Sequence, residues 1–184
     1  MANILKGAAV VGQSGGPTAA INASLAGVIT GYFENKDAIT TLYGMRNGIE
    51  GLLKENIIDL SAIFGAAPEK LDTLAATPAA ALGSCRKKLP DPSEDKEFYE
   101  GLIAIFKKYN IRYFFYIGGN DSMDTVAKLT EYLKGNGDWD MRVIGVPKTI
   151  DNDLAGTDHT PGFGSAAKYI ATTVSEIIRD CAVY

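Results

Sequence analysis

Three runs in this chain stop at glycine or proline and give way, after a few polar residues, to a helical period. That recurrence constrains the fold more than any other feature. Ala8 to Val11 stop at Gly12, Arg112 to Ile117 at Gly118, and Met141 to Val146 at Pro147. Runs of this length with turn residues at their ends read as buried strands. The aromatics of the second, Tyr113 to Tyr116, read as core and not as a stacking platform. Helical spacing follows each strand: Ile21, Leu25, Val28 and Tyr32 after the first, Val126, Leu129 and Leu133 after the second, and Phe163, Ala167, Ile170, Val174 and Ile177 after the third. Strand alternating with helix predicts an α/β fold, a doubly wound, mainly parallel sheet with helices on both faces in the Rossmann manner. Ligands of such sheets bind beyond the carboxyl ends of the strands. The loops 12–17, 118–122 and 147–153 are therefore expected on one edge, where they can converge.

The remaining elements are less sharply written. Ala38 to Tyr43 reads as a strand followed by a turn over 44–48, and Asn56 to Leu60 as a short strand. From 61 to 92 small residues and prolines interrupt every period, which places this stretch outside the sheet. Asp91-Pro92-Ser93 predicts a helix start with Ser93 as N-cap, and Phe98, Leu102, Ile105 and Tyr109 as its buried stripe. A loop is expected over 135–140, and Thr160 and Pro161 suit the N-cap and first position of the last helix.

Each loop carries residues with chemical capability. In Gly12-Gln13-Ser14-Gly15-Gly16-Pro17 the glycines let an anion approach backbone N–H groups at the positive end of a helix. The pattern fits neither of the common phosphate-loop motifs, and a tight turn without a ligand is the plain alternative. Gly118-Gly119-Asn120-Asp121-Ser122 sets a carboxylate where a bare phosphate would be repelled, which calls for a divalent cation between them; helix capping is the competing role. Leu82-Gly83-Ser84-Cys85-Arg86-Lys87-Lys88 runs a small-residue turn into three cations, either a solvated basic patch or a bidentate phosphate contact through Arg86. In Pro147-Lys148-Thr149-Ile150-Asp151-Asn152-Asp153 a cation, a hydroxyl and two carboxylates share one irregular turn, enough for proton abstraction beside a charged transfer; a surface loop of Asx turns is the alternative. His159, the single histidine, reads as a loop residue.

Composition excludes some partners. A net charge of −4 over 184 residues argues against nucleic acid, whose binders carry clustered positive charge. No apolar stretch is long enough to cross a bilayer, and the N-terminus lacks the apolar region of a secretion signal. Cys85 and Cys181, far apart and without a CxxC, imply neither a disulfide framework nor a zinc site, so a cytoplasmic setting is expected.

Assembled, the loop at Gly12, the Leu82-Gly83-Ser84 turn with Arg86, the Gly118-Gly119 turn and the segment 147–153 resemble the N-terminal part of the phosphofructokinase family, over nearly the whole chain. The resemblance implies that Asp151 takes the proton from the C1 hydroxyl of fructose 6-phosphate, with Lys148 and Thr149 beside it and Thr149 and Asp153 helping to hold sugar and metal. It also implies donor contacts at Gly12, Gly15, Gly16, Arg86, Gly118, Gly119, Asp121 and Ser122. Asn120 stands where the family usually has a metal-binding aspartate, so Mg2+ is expected on Asp121, with Asn120 an uncertain ligand. Asp121 replaces the second glycine of a Gly-Gly-Asp-Gly-Ser motif, and Lys148 replaces the glycine of Pro-Gly-Thr-Ile-Asp. Both changes resemble the pyrophosphate-dependent branch. A side chain at 121 crowds and repels a nucleotide α-phosphate, and Lys148 supplies charge a nucleotide would not need. Family members continue into a second, sugar-phosphate-binding part. Residues 1–184 are therefore expected to form a donor-binding domain, inactive by itself, of an enzyme that is a homo-oligomer at full length. The alternatives are an ATP-dependent phosphofructokinase and a non-catalytic polyphosphate- or nucleotide-binding module.

Overall fold

The computed structural model describes residues 4–136 and 139–183. The chain divides into two compact units, Met1–Pro147 and Lys148–Tyr184.

In the first unit the apolar runs form the sheet. Among the described residues its five strands are β1 (Gly7–Gln13), β2 (Ile39–Met45), β3 (Ile57–Asp59), β4 (Ile111–Gly118) and β5 (Arg142–Pro147), in the order β3-β2-β1-β4-β5. The pairs β1–β2, β1–β4 and β4–β5 are parallel, and β2–β3 is antiparallel. Its helices among the described residues are α1 (Ile21–Glu34), α2 (Gly48–Leu53), α3 (Leu60–Ala66), α4 (Lys70–Ala76), α5 (Lys96–Lys108) and α6 (Asn120–Asn136). Side chains alternate across a strand, so Ala8 and Val10 of β1 enter one core while Ala9 and Val11 enter another. The first core takes Ile49 and Leu52 of α2, Leu102 and Phe106 of α5 and Leu129 of α6. The second takes Ile21, Leu25 and Ile29 of α1 and Leu60 and Phe64 of α3. Helices thus cover both faces, as the alternation predicts.

The strand order carries the functional consequence. From β1 the chain crosses through α1 to β2 on one side, then returns to β4 on the other side of β1. The helices after β1 and β4 lie on opposite faces, so the connections diverge and leave a crevice at the carboxyl ends of these two strands, the switch point where doubly wound sheets take ligands.

Several local expectations differ from the structure. β2 runs on through Met45, and the turn after it leads directly into α2, which six residues with no obvious period did not announce. The stretch 61–92 lies outside the sheet but holds most of α3 and all of α4. Helix α5 begins at Lys96 with Asp95 as its N-cap, accepting the Phe98 N–H at 3.0 Å; Ser93 instead donates to Asp91 in the preceding turn. Its buried stripe is Tyr99, Leu102, Ile103 and Phe106, with Phe98, Ile105 and Tyr109 only partly covered. Residues 137–138 of the expected loop over 135–140 lie outside the described residues, and α6 persists to Asn136.

The second unit is an irregular loop followed by α7 (Phe163–Cys181). Gly162, at φ 98°, is its N-cap residue, so Thr160 and Pro161 lie in the turn before the helix and not at its cap and first position. The expected stripe is present on α7 but unburied: Ile170 is 58% exposed, Val174 46% and Ile177 55%. Periodicity decides which residues share a face, whereas burial also needs a surface to lie against. Among the described residues no helix is long and apolar enough to cross a membrane.

Candidate functional site

Backbone hydrogen bonds draw the loops of the first unit together at the switch point. The Ser14 N–H donates to the Ile117 carbonyl at 2.9 Å, tying the turn after β1 to the end of β4. Gly118 admits no side chain, since a Cβ there would collide with the Ser122 side chain and stand 3.2 Å from the Ser14 carbonyl oxygen. The first glycine loop explains itself residue by residue. At Gly12 a Cβ would strike the Met45 methyl and crowd the Tyr116 ring, so packing by itself favours glycine here. Gly15 adopts φ 77°, the left-handed region that suits glycine. A Cβ on Gly16 would meet nothing within 4 Å, which leaves the space above the loop open.

The segment 82–88, unplaced by the sequence beyond lying outside the sheet, arrives as a strap over this same edge. Ser14 Oγ and the Gly15 N–H donate to the Cys85 carbonyl at 3.1 and 3.2 Å, and Ser84 Oγ donates to the Gly15 carbonyl at 2.5 Å. Beneath it the buried Tyr116 hydroxyl accepts the Ile49 N–H at 3.3 Å and stands 3.7 Å from Cys85 Sγ. Burial raises the affinity of that hydroxyl for its proton, so it remains a neutral prop. Arg86, Lys87 and Lys88 follow, all exposed. Lys88 Nζ reaches Asp121 Oδ1 at 3.2 Å. Neither Tyr116 nor this ion pair was among the sequence candidates; a basic residue and an acidic residue 33 positions apart give no periodic signal.

Helix α6 begins at Asn120, so Asn120, Asp121 and Ser122 form its first turn. Ser122 is buried at 2% exposure, folded back toward Gly118, while Asn120 and Asp121 face solvent. Among the described residues no group of three metal-ligating His, Cys, Asp or Glu side chains stands together. Asp121 is a single carboxylate beside an amide.

The segment after β5 belongs to the second unit. It leaves the sheet at Pro147, which pairs with Gly118 in the β4–β5 register. Lys148 and Thr149 are buried at 5% and 8% exposure, and a lysine so far from water is retained where it is paired. The Thr149 hydroxyl accepts the Asp151 N–H at 3.1 Å, an ST turn that fixes the backbone of Asp151. Asn152, at φ 56°, donates through Nδ2 to the Asp158 carbonyl at 3.1 Å and accepts the Thr160 N–H at 2.9 Å, closing the loop on itself. Asp151, Asp153 and His159 are exposed, and the His159 ring makes a tilted contact with Phe163 at 6.1 Å.

A doubly wound sheet with two glycine turns and a basic strap at its switch point defines a class: α/β proteins whose ligands lie beyond the carboxyl ends of the strands. The sequence model described as Phosphofructokinase matches residues 8–183. The chain belongs to the phosphofructokinase family. It is 48% identical over 170 residues to the pyrophosphate--fructose 6-phosphate 1-phosphotransferase of Halomonas elongata, covering 92% of this chain and 40% of that protein. The Xanthomonas campestris protein of the same name is also 48% identical over 170 residues, with 92% and 39% covered. The crystal structure of the pyrophosphate-dependent phosphofructokinase of Nitrosospira multiformis superposes with a TM-score of 0.84 at 45% identity, over 95% of this chain and 42% of that one. The chain thus spans about 40% of the length of the curated relatives it matches.

Proposed function

We propose that this chain forms the donor side of a phosphotransferase that moves a phosphoryl group from pyrophosphate to the C1 hydroxyl of fructose 6-phosphate. The observation that carries the choice of donor is Asp121, an exposed carboxylate in the first turn of α6, at the switch point and 3.2 Å from Lys88. A side chain here opposes the α-phosphate of a nucleotide sterically and by charge. A compact diphosphate brought in with a cation tolerates it. The names of the relatives point the same way.

Donor oxygens would enter the open space above Gly16, with Gly15, its N–H already given to the Cys85 carbonyl, bending the turn and Gly12 shaping the loop from below. Gly118 and Gly119 would shape the facing turn, Ser122 would hold it, and Arg86 would supply a planar fork for two phosphate oxygens. Mg2+ would rest on Asp121, with Asn120 beside it. One carboxylate suits this ion, which keeps waters and takes its other ligands from substrate phosphates. When bound, the ion neutralises charge on the transferring and leaving oxygens.

Asp151, held by the Thr149 hydroxyl, would accept the C1 hydroxyl proton. The alcohol oxygen forms its bond to one phosphorus as the bridging P–O bond breaks, releasing inorganic phosphate. Lys148 would balance charge as that phosphate departs, and Asp153 would assist at sugar and metal. Positioning and charge neutralisation do the chemical work. The sugar-phosphate contacts, the homo-oligomer and the cytoplasmic setting belong to this same reading, the last in keeping with the free cysteines Cys85 and Cys181.

The test compares donors in the active enzyme that carries these residues. Turnover with pyrophosphate and Mg2+, and none with ATP, is expected; robust turnover with ATP alone would overturn the assignment. Asp121→Gly combined with Lys148→Gly should shift preference toward ATP, and an unmoved donor ratio would remove the steric argument.

A further inference from the structure

The strap 77–88 carries Arg86 to the switch point without belonging to the sheet or to a helix, and two buried side-chain amides hold it there. Gln13 ends β1 and is 0% exposed; Asn22 lies in the first turn of α1 and is 2% exposed. They flank the glycine loop and bond to one another, Gln13 Nε2 donating to Asn22 Oδ1 at 2.9 Å and to the Ile21 carbonyl at 3.2 Å. Their remaining capacity goes to the strap. Gln13 Oε1 accepts the Leu82 N–H at 2.8 Å, Asn22 Oδ1 accepts the Ala81 N–H at 2.8 Å, and Asn22 Nδ2 donates to the Thr77 carbonyl at 2.9 Å. These bonds replace the ladder that the strap lacks. Without them the buried backbone N–H of Leu82 would go unpaired and the more exposed N–H of Ala81 would lose its protein acceptor.

We propose that Gln13 and Asn22 are positioning residues: an amide clamp that locks the glycine loop and the strap into one body, so that Arg86 is preorganised for the donor. The clamp fixes the strap at 77, 81 and 82, and the bonds from Ser14, Gly15 and Ser84 carry that register on toward Arg86. Gln13→Met keeps the length and removes the bonds to Leu82, Asn22 and Ile21, leaving Asn22 to hold Ala81 and Thr77. The role of Arg86 rests on the pyrophosphate reading, whereas the mechanical part does not.

Two measurements on the 184-residue chain test it. Hydrogen exchange of the wild type should find the Ala81 and Leu82 amides protected like those of the β1–β4 ladder; fast exchange there overturns the clamp outright, whatever any variant does. In Gln13→Met the Leu82 amide, which loses its acceptor, should become labile while Phe114 stays protected. Calorimetric titration with magnesium pyrophosphate should then show about a tenfold loss of affinity in Gln13→Met. The same substitution made on Arg86→Ala should cost little more, because the clamp acts through that guanidinium. Additive losses would mean that the clamp does not act through Arg86, and would overturn the positioning role. If the wild-type chain takes up no pyrophosphate, the donor reading fails, and the clamp stands or falls on the exchange of Ala81 and Leu82.

Discussion

At Gly118 the sequence announced a turn, but the reason for glycine is a neighbour: Ser122 packs where a Cβ would go, with the Ser14 carbonyl 3.2 Å beyond. Gly118→Ala should therefore destabilise the fold by about 1–3 kcal/mol, as overpacking does. Denaturant unfolding measures it, and a change under about 0.5 kcal/mol would show that the turn yields. Gly12 is similar in kind, legible as a glycine and not as a packing partner of Met45 and Tyr116. The Lys88–Asp121 pair behaves differently, because both side chains are 70% exposed and such pairs add at most about 1 kcal/mol. Lys88→Ala should leave the unfolding midpoint nearly unchanged and make magnesium pyrophosphate binding weaker and less salt-dependent. A large drop in stability with unaltered binding would place Lys88 in the scaffold instead. The crowding of Asp151 and Asp153 with Lys148 and Thr149 is visible along the chain, whereas the ST turn at Thr149 needed coordinates.

Among the elements, the helices most cleanly written were those with long apolar periods, and their ends were the least certain. Asp91, Ser93 and Asp95 are all good N-cap residues within five positions, and only the backbone of Asp95 presents its side chain to the helix. Asp95→Ala should lower stability by about 1 kcal/mol, and Ser93→Ala by much less. Equal effects would contradict the observed cap. At its other end α5 is tied to the α2–β3 turn through Glu55, whose carboxyl is held below its ordinary 4.5 by hydrogen bonds from Lys108 and then Tyr109. A lowered carboxyl stabilises the fold above its unfolded value, and that contribution is lost as pH falls through the folded value. The stability difference between wild type and Glu55→Gln should thus be present at pH 7 and shrink as the pH falls below 4.5; a difference that grows on acidification would reverse the assignment.

For the molecule as a whole, the exposed stripe of α7 is the feature that solution behaviour should register. Ile170, Val174 and Ile177 form a contiguous apolar face on a 19-residue helix with no buried residue, and exposed patches of this kind bind apolar dyes and promote association. The 184-residue chain should bind such a dye and self-associate at micromolar concentration. Ile170→Lys with Ile177→Lys should suppress both while leaving unfolding of Met1–Pro147 unchanged. A dye-silent wild type would mean that the face is covered in solution. The sequence by itself determined the alternation of strand and helix, the glycine turns, the acidic segment after Pro147 and hence the family, because periodicity and turn chemistry are properties of neighbours along the chain. Only the tertiary structure decided the order β3-β2-β1-β4-β5, the strap drawn over the switch point by Gln13 and Asn22, and the bare face of α7. Those depend on which distant segments lie side by side, and local patterning does not encode that choice where a residue can read.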